Sequence, residues 1–376
     1  MSTIAQLETT LVTVGVDTHL EVHVAVALDQ LGRRLGQAEV ATTEAGYEEL
    51  VEWAGSFGEI EAFGVEGTGC YGAGLARHLR HREFLVIEVI RPNRQTRRRK
   101  GKSDPVDAEA AARAVLSGEA AGIPKAGDDR VEMIRVLRIA RQSAMKARVQ
   151  AINNLRALLV TAPCELRESL RGLRAPKLIG RAARLRPAAH DTVTHATKQS
   201  LRLLARRCQH LDEEIELLDT QIGELVAEVA PALVALFGVG INNAAQLLIT
   251  AGDNPERLRS EAAFAMLCGA SPRPASSGKT NRHRLNRGGD RQANAALYRI
   301  ALVRMRWHQP TRDYVERRTT EGKTKLEVIR CLKRYIAREV YTALLNPDPS
   351  SVLASPCAVP EESTCSARSA SEDERR

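Results

Sequence analysis

The first third of the chain alternates between short apolar runs and amphipathic stretches. Two β-branched runs, VTVGVDT and VHVAVALD, are joined by a short polar connection and predict a β-hairpin. Further strands are predicted at residues 36–43, within IEAFGVEGTG and within FLVIEVIRP. The stretches EAGYEELVEWAGSF, YGAGLARHLRHR and DPVDAEAAARAVLSG predict helices. Strands separated by crossover helices indicate an α/β domain with a mixed sheet, to which we assign residues 1–125.

The middle of the chain has helical periodicity. The segment DDRVEMIRVLRIARQSAMKARVQAINNLRALLV is long, basic and amphipathic. A second helix carries apolar residues in alternating steps of three and four, the pattern of a coiled-coil seam. The seam consists of Leu201, Leu204, Cys208, Leu211, Ile215, Leu218, Ile222, Leu225 and Val229. We predict a helical coiled-coil region over residues 126–230, whose seam is covered either by antiparallel pairing with the first helix or by dimerisation.

A third region begins after Pro231. Residues 231–345 predict a compact helical domain that is interrupted by one polar loop, SPRPASSGKTNRHRLNRGGDRQAN. Residues 346–376 are rich in Ser, Pro and Glu and lack apolar periodicity, which is typical of a disordered tail. The predicted fold class is therefore α/β plus α.

Composition excludes several classes of protein. The 376 residues are 43% hydrophobic, as in globular proteins, and only 3% aromatic, which disfavours base stacking on aromatic surfaces. The chain has no apolar run of about eighteen residues, so no membrane span is expected. The segment MSTIAQLETTL does not resemble a secretory signal. Seven cysteines without a Cys-x-x-Cys pair disfavour a zinc ribbon or a disulfide framework and fit a reducing cytoplasm.

Positive charge is concentrated in two segments of a chain whose formal net charge is +9. The segment RPNRQTRRRKGK carries seven Lys or Arg and no acid, and such a run repels itself unless a polyanion binds it. Nucleic acid is the commonest polyanion, so we predict that DNA is a partner. The candidate contacts are Arg91, Arg94, Arg97, Arg98, Arg99, Lys100 and Lys102 in this run, and Lys279, Arg282, Arg284, Arg287 and Arg291 in the polar loop.

Four carboxylates stand where strands end or a helix begins. Asp17 and Glu66 each follow an apolar strand, and Asp104 and Asp107 share one face at the start of a predicted helix. Carboxylates in this arrangement can hold two Mg²⁺ ions, as in a ribonuclease-H-like nuclease. A second interpretation of SDPVDAEAA is helix capping, with Asp104 as the N-cap and Pro105 at the first helical position.

These motifs together resemble the DEDD transposases of bacterial insertion sequences, the IS110 or bridge-recombinase family, whose close neighbours are the pilin-type DNA invertases. The matching segments are VGVDTHLEVHVAVALD, GVEGTG, the basic run, KSDPVDAEAAARA, LFGVGINNAAQLLI and PRPASSGKTNRHRLNRGGDRQANAALY. The resemblance covers residues 11–340. It implies a RuvC-like nuclease domain in which Asp17, Glu66, Asp104 and Asp107 bind Mg²⁺ or Mn²⁺, followed by a helical transposase domain.

The polar loop contains a serine doublet, Ser276 and Ser277, among basic residues. Taken alone, Ser-Ser-Gly is typical of a flexible turn, because no His or Asp stands at a spacing that defines a serine activator. The resemblance instead implies that Ser277, or Ser276 if the alignment shifts by one residue, attacks DNA as the nucleophile. It also implies a non-coding bridge RNA as a partner and a homo-oligomer, either a dimer or a tetramer, acting in the bacterial cytoplasm.

Three other interpretations compete with a recombinase. A metal-only junction nuclease would use the four acids and not the serine. An actin-like ATPase or kinase would also begin with a hairpin such as VGVDTH plus VHVAVALD, but it predicts further phosphate and adenosine loops and leaves the basic runs unexplained. A helical nucleic-acid-binding protein without catalysis would tolerate neutralisation of all four acids.

Overall fold

The computed structural model describes residues 10–90, 103–187, 192–274, 283–284, 286–346 and 348–350. The basic run 91–102, the serine doublet, Lys279, Arg282 and all of the predicted tail except residues 346 and 348–350 lie outside these ranges. The described chain forms two units, which are treated separately below. One comprises residues up to 133 together with 251–259, and the other comprises residues 134–250 together with those from 260 onward.

The first unit is organised around a five-stranded mixed sheet. Its strands are β1 (Leu11–Thr18), β2 (Val22–Asp29), β3 (Arg34–Ala41), β4 (Glu59–Glu66) and β5 (Val86–Val89). They lie in the order β3-β2-β1-β4-β5. The hairpin strands β1 and β2 are antiparallel, as are β2 and β3, whereas β4 runs parallel to both β1 and β5. The predicted α/β domain with a mixed sheet is confirmed.

Helices cover both faces of this sheet. One face carries α1 (Glu44–Gly55) and α2 (Ala73–His81), and its core includes Val14 and Phe63, both fully buried. The other face carries α3 (Asp104–Leu116), whose Ala108 and Ala112 pack with Val26 and Leu28 of β2. Because β1 and β2 are covered on both faces, every residue after the first of each strand is buried, including the polar Thr13, His23 and Asp29.

A segment from much later in the chain completes the first unit. Residues 251–259 include the short 3₁₀ helix Pro255–Arg257. Within this segment the Asn254 side chain accepts a hydrogen bond from the Ala126 amide at 2.9 Å and donates one to the Pro124 carbonyl at 3.1 Å. The Asp253 carboxylate accepts a hydrogen bond from the Val131 amide at 2.7 Å. We call residues 251–259 the returning segment.

The second unit is almost entirely helical. Its helices are α4 (Arg130–Val160, which begins in the first unit), α5 (Cys164–Leu170), α6 (Ala175–Ala182), α7 (Val193–Val229), α8 (Pro231–Ala235), α9 (Ile241–Ala251), α10 (Glu261–Leu267), α11 (Arg291–Trp307), α12 (Gln309–Thr320) and α13 (Lys325–Leu345). Two antiparallel strands of two residues each, β6 (Arg273–Pro274) and β7 (His283–Arg284), stand before and after residues 275–282 in the sequence. We call residues 275–282, which include the serine doublet, the serine loop. None of the described helices combines the length and the apolar character that crossing a bilayer requires.

The two long helices of this unit pair antiparallel to each other. Arg141 of α4 makes a bidentate ion pair with Asp219 of α7, with nitrogen–oxygen distances of 2.5 and 2.9 Å. About two turns further along α4 and two turns back along α7, Arg148 forms a second ion pair, with Asp212. Of the predicted seam, Leu201, Cys208, Leu218 and Ile222 are buried within this one chain. Antiparallel pairing is therefore present, while coiled-coil geometry and dimerisation stay predictions.

Candidate active site

The candidate site lies at the ends of β1 and β4, on the face of the sheet that α3 covers. Strand side chains alternate between faces, and Val14 and Val16 belong to the core under α1 and α2. Asp17 therefore falls on the opposite face, two residues after Gly15. In β4 the same spacing places Glu66 two residues after Gly64 on that face. The sequences GVD and GVE are thus the same local design in two adjacent parallel strands.

Gly15 and Gly64 let α3 approach the sheet closely. A Cβ atom at Gly15 would lie 2.0 Å from the Ala108 carbonyl oxygen and 2.3 Å from the Ala112 amide nitrogen, both of them backbone atoms of α3. A Cβ at Gly64 would lie 2.7 Å from a Val115 methyl group. Only glycine fits at position 15 with the helix in this position. The packing of α3 against the sheet therefore sets how closely Asp104 and Asp107 approach the strand ends.

The first turn of α3 contributes the other two carboxylates. Asp104 is the first residue of the helix and is half-buried, whereas Asp107 is 2% exposed. The capping interpretation of Asp104 is wrong, because Ser103 occupies the N-cap position, with extended backbone angles, and Pro105 follows one residue later than expected. The N-cap side chain makes no capping hydrogen bond. Capping therefore does not account for the carboxyl group of Asp104.

A histidine links two of these acids. His19 Nε2 lies 3.5 Å from an Asp17 carboxylate oxygen and 3.4 Å from an Asp104 carboxylate oxygen. Within the described ranges, Asp17, His19 and Asp104 form a group whose ligand atoms all lie within 4.8 Å of one another. Glu66, at the end of β4, and Asp107, in the same helical turn as Asp104, are not part of that group. The Asp17 side chain is 12% exposed, while those of His19 and Asp104 are each 47% exposed, so the group is open to solvent on one side.

The turn after β4 is tied to the end of β1. The Thr18 hydroxyl donates a hydrogen bond to the Glu66 carbonyl at 2.8 Å, which holds the two strand ends together. Gly67 follows with a positive φ of 69°, a conformation that favours glycine. Beyond it, the Thr68 hydroxyl donates to the Glu88 carboxylate on β5 at 2.8 Å. These bonds fix the backbone from which the acidic side chains project.

The structure places the predicted basic contacts only in part. Arg284, Arg287 and Arg291 are exposed on the second unit. The acid beside them has a structural role: Asp290 caps α11 by accepting hydrogen bonds from the amides of Gln292 and Ala293. Ser276, Ser277, Lys279, Arg282 and the basic run 91–102 lie outside the described residues, so their roles stay predictions.

Sequence reasoning did not select His19. The residue stands two positions after Asp17 in VGVDTH, at a point where polar residues are expected because a strand gives way to a turn. Its proximity to Asp104 depends on the packing of α3, which the local sequence does not encode. A histidine beside a strand-end carboxylate was the available signal, since imidazole and carboxylate are common metal ligands.

Both halves of the chain match family models for transposases. A model described as a transposase, of the DEDD type from IS110, matches residues 14–162 and therefore includes all four acids. A second model, described as a transposase of the IS116/IS110/IS902 family, matches residues 230–316 and includes the serine loop. The two matches together cover more than half of the chain, in the order that the resemblance predicted.

Two relatives from insertion elements agree with these models. The chain is 31% identical over 134 residues to the insertion element IS110 uncharacterized 43.6 kDa protein of Streptomyces coelicolor, an alignment that spans 35% of this chain and about a third (33%) of that protein. It is 24% identical over 375 residues to the insertion element IS900 uncharacterized 42 kDa protein of Mycobacterium paratuberculosis, covering 85% of this chain and 92% of that protein. With carboxylates grouped at the strand ends and both family models matched in order, the chain belongs to the IS110 family of transposases.

Proposed function

We propose that this protein is a DNA recombinase that cuts and rejoins DNA to move an insertion sequence. The observation that carries the proposal is the meeting of Asp17 and Asp104, from elements far apart in the chain, on either side of one imidazole nitrogen. Two carboxylates brought this close repel each other unless a cation lies between them. A protein that only binds nucleic acid through basic surfaces has no use for such a group.

The first unit serves in this proposal as a RuvC-like nuclease domain. Support comes from the mixed sheet and from the close approach of Asp17, at the end of β1, to Asp104, at the start of α3. The actin-like ATPase alternative receives less support. Such an ATPase would bind phosphate with the GVEGTG turn. In this turn the Glu66 carbonyl accepts a hydrogen bond from the Thr18 hydroxyl, and the Thr68 hydroxyl donates one to the Glu88 carboxylate.

The donor set fits a divalent cation. Asp17 and Asp104 offer carboxylate oxygens and His19 offers a nitrogen within one group. Such a set accepts Mg²⁺ or Mn²⁺, and the imidazole favours Mn²⁺ because Mg²⁺ prefers oxygen ligands. When bound, the ion supplies charge stabilisation at the phosphate and lowers the pKa of an attacking hydroxyl or water. The chain's own part is to hold the carboxylates in register through the packing of α3 on Gly15 and Gly64.

Further steps of the proposal rest on family membership. Ser277, or Ser276, attacks a DNA phosphodiester: the serine hydroxyl gives its proton to a general base or water, and its oxygen bonds to phosphorus. The bond from phosphorus to a sugar oxygen of the DNA breaks, and that oxygen takes up a proton and leaves as a hydroxyl. Basic residues of the serine loop and of the 91–102 run bind DNA and a non-coding bridge RNA. The active form is a homo-oligomer in the bacterial cytoplasm. A metal-only nuclease, in which the serine is dispensable, is the alternative that the carboxylate group also supports.

A strand-transfer assay with Mg²⁺ tests the proposal. It uses element-end DNA, a target DNA and RNA transcribed from the flank of the element. The variants are Ser277→Ala, Ser276→Ala, Asp104→Ala and, as the control, Asp313→Ala, which replaces an exposed acid on α12. Denaturing gels detect protein that stays attached to DNA.

We expect an adduct with wild type and with Asp313→Ala, no adduct with Ser277→Ala, and loss of recombination in both Ser277→Ala and Asp104→Ala. Full activity of Ser277→Ala and of Ser276→Ala, with loss only in Asp104→Ala, would establish the metal-only nuclease instead. Full activity of Asp104→Ala would refute the role of the carboxylate group.

A further inference from the structure

A cationic cavity lies in the second unit, at the base of the hairpin that flanks the serine loop. Its volume is about 380 Å³, within the range of small-ligand sites. Residues 269–272 and Arg284 line it on one side, and the start of α13 lines it on the other. Six cationic side chains contribute to the lining: Arg284, Arg318, Lys323, Arg330, Lys333 and Arg334. The described lining contains one acid, Glu327.

That acid does not neutralise the cavity. Glu327 forms a capping box with Thr324 at the start of α13, accepting hydrogen bonds from both the Thr324 amide and its hydroxyl. Its ion pair with Arg330 is long, at 3.8 Å, and both side chains are about half exposed, so its contribution is small. Glu261 and Glu321, outside the lining, pair with Arg334 and Arg318 and offset the charge of these two cations. Arg284, Lys323, Arg330 and Lys333 remain against the single lining acid. Positive charge therefore remains in excess around this space.

The cations are held in place by the fold. Lys333 Nζ donates to the Asn294 side-chain oxygen at 3.0 Å, and the Asn294 amide donates to the carbonyls of Cys268 and Gly269 on the opposite wall. Burial, together with the nearby charge of Arg330, lowers the pKa of Lys333. An anion in the cavity would relieve that repulsion. The cavity is thus preorganised for a negatively charged group and does not need to rearrange to bind one.

The remaining lining suits a nucleotide better than a bare anion. Tyr335, Ala270 and Pro272 add an aromatic ring and small apolar surfaces to the cationic wall. A nucleic-acid strand presents a phosphodiester with an adjacent sugar and base. The cationic wall suits the phosphodiester, and the aromatic and apolar surfaces suit the sugar and base. We propose that this cavity binds a phosphodiester of a single nucleic-acid strand. The proposal rests on the proposed function only in taking nucleic acid as the partner; it needs neither the serine nor the metal.

The test compares two double variants that remove the same charge from the same unit. Lys323→Ala with Arg330→Ala empties part of the cavity, whereas Lys325→Ala with Arg312→Ala removes two exposed cations that do not line it. Fluorescence anisotropy measures the binding of one single-stranded sequence, made as DNA and as RNA, over a range of salt concentrations. Each phosphate contact contributes about 0.7 to the slope of log K against log salt for single strands. Because the cavity is proposed to bind one phosphodiester, we expect the cavity variant to lose about 0.7 from this slope and the control to match wild type.

A second readout locates the bound strand. Cys331 lines the cavity, while Cys70 and Cys164 are exposed elsewhere and serve as internal references. Thiol labelling with peptide-level mass spectrometry should show that the oligonucleotide slows modification of Cys331 and leaves the reference cysteines unchanged. Protection by DNA alone or by RNA alone identifies which nucleic acid supplies the phosphodiester, and either result supports the cavity.

Two outcomes would overturn the proposal in different ways. Equal slopes for both double variants, with Cys331 modified at the unbound rate while the strand is bound, would place nucleic acid elsewhere on a protein whose proposed function still stands. A wild-type protein that binds neither strand would remove the cavity proposal together with nucleic-acid binding in the proposed function.

Discussion

The substitution Gly15→Ala tests whether helix packing positions the acidic group. The added Cβ would lie 2.0 Å from the Ala108 carbonyl oxygen, whereas an ordinary contact needs at least 3.4 Å. The helix α3 must therefore retreat by roughly 1.4 Å, because the obstructing atoms are backbone atoms that cannot rotate away. Asp104, the first residue of α3, then moves away from Asp17 by a similar distance.

Two effects of different size should follow from Gly15→Ala. Overpacking lowers the free energy of unfolding by about 1–3 kcal/mol. A displacement of about 1 Å at reacting groups lowers the rate by about 10²-fold. Gly64→Ala should be milder, since its closest obstacle, at 2.7 Å, is a Val115 methyl group that can shift. The control is Gly55→Ala at the end of α1, where an added Cβ meets nothing within 4 Å.

The measurements are urea unfolding, Mn²⁺ affinity by electron paramagnetic resonance, and the strand-transfer rate. We expect Mn²⁺ affinity and the strand-transfer rate to be unchanged in Gly55→Ala, to fall slightly in Gly64→Ala and to fall most in Gly15→Ala. If Gly15→Ala loses stability but keeps wild-type Mn²⁺ affinity and rate, the packing of α3 does not set the geometry of the acids and the reasoning fails.

Three further predictions address other features. First, His19→Gln should lower the affinity for Mn²⁺ more than that for Mg²⁺, because it removes the nitrogen ligand. The pulsed electron paramagnetic resonance spectrum of bound Mn²⁺ should lose its coupling to nitrogen, and an unchanged coupling would contradict the role of His19. Second, burial lowers the pKa of His23, whose ring stacks on Tyr47, below its usual 6.5. Its neutral form then stabilises the fold above about pH 6.5, and this contribution is lost as the pH falls. Urea unfolding should show a smaller loss of stability between about pH 7 and pH 5 for His23→Phe than for wild type, and equal losses would argue against it. Third, Arg304→Ala removes a buried guanidinium that pairs with Glu339 at 2.7 Å and donates to the Phe237 carbonyl at 2.8 Å, and it should lower the free energy of unfolding by about 3 kcal/mol. The control Arg306→Ala, at an exposed neighbour, should change this free energy little, and similar losses in both variants would refute a stabilising role for the buried ion pair.

Much of the first unit could be predicted because its information is local. The runs VTVGVDT and VHVAVALD are rich in β-branched residues, so they are recognised as strands without information from the rest of the chain. Asp17 and Glu66 were identified from the same local pattern, since each acid ends a strand. The long helices α4 and α7 were predicted from periodicity alone.

What could not be predicted depends on contacts between distant residues. The start of α3 was placed one residue late, because Ser103 and Asp104 are both good N-cap residues and the choice between them is made by packing against the sheet. His19 acquires its position only when α3 brings Asp104 to it. The partner of the α7 seam was equally undetermined, since α4 and a second chain satisfy the same apolar stripe.

The returning segment has a consequence for how the protein is made. Although the first unit starts the chain, the amides of Ala126 and Val131 gain their partners only when Asn254 and Asp253 have been synthesised. During translation the first unit therefore stays incomplete, although all five strands of its sheet have been made, until more than a hundred residues of the second unit have left the ribosome. A gene fragment that stops short of the returning segment would encode Asp17, Glu66, Asp104 and Asp107 without the segment that completes their unit, so truncated copies of the element are expected to yield an unstable first unit.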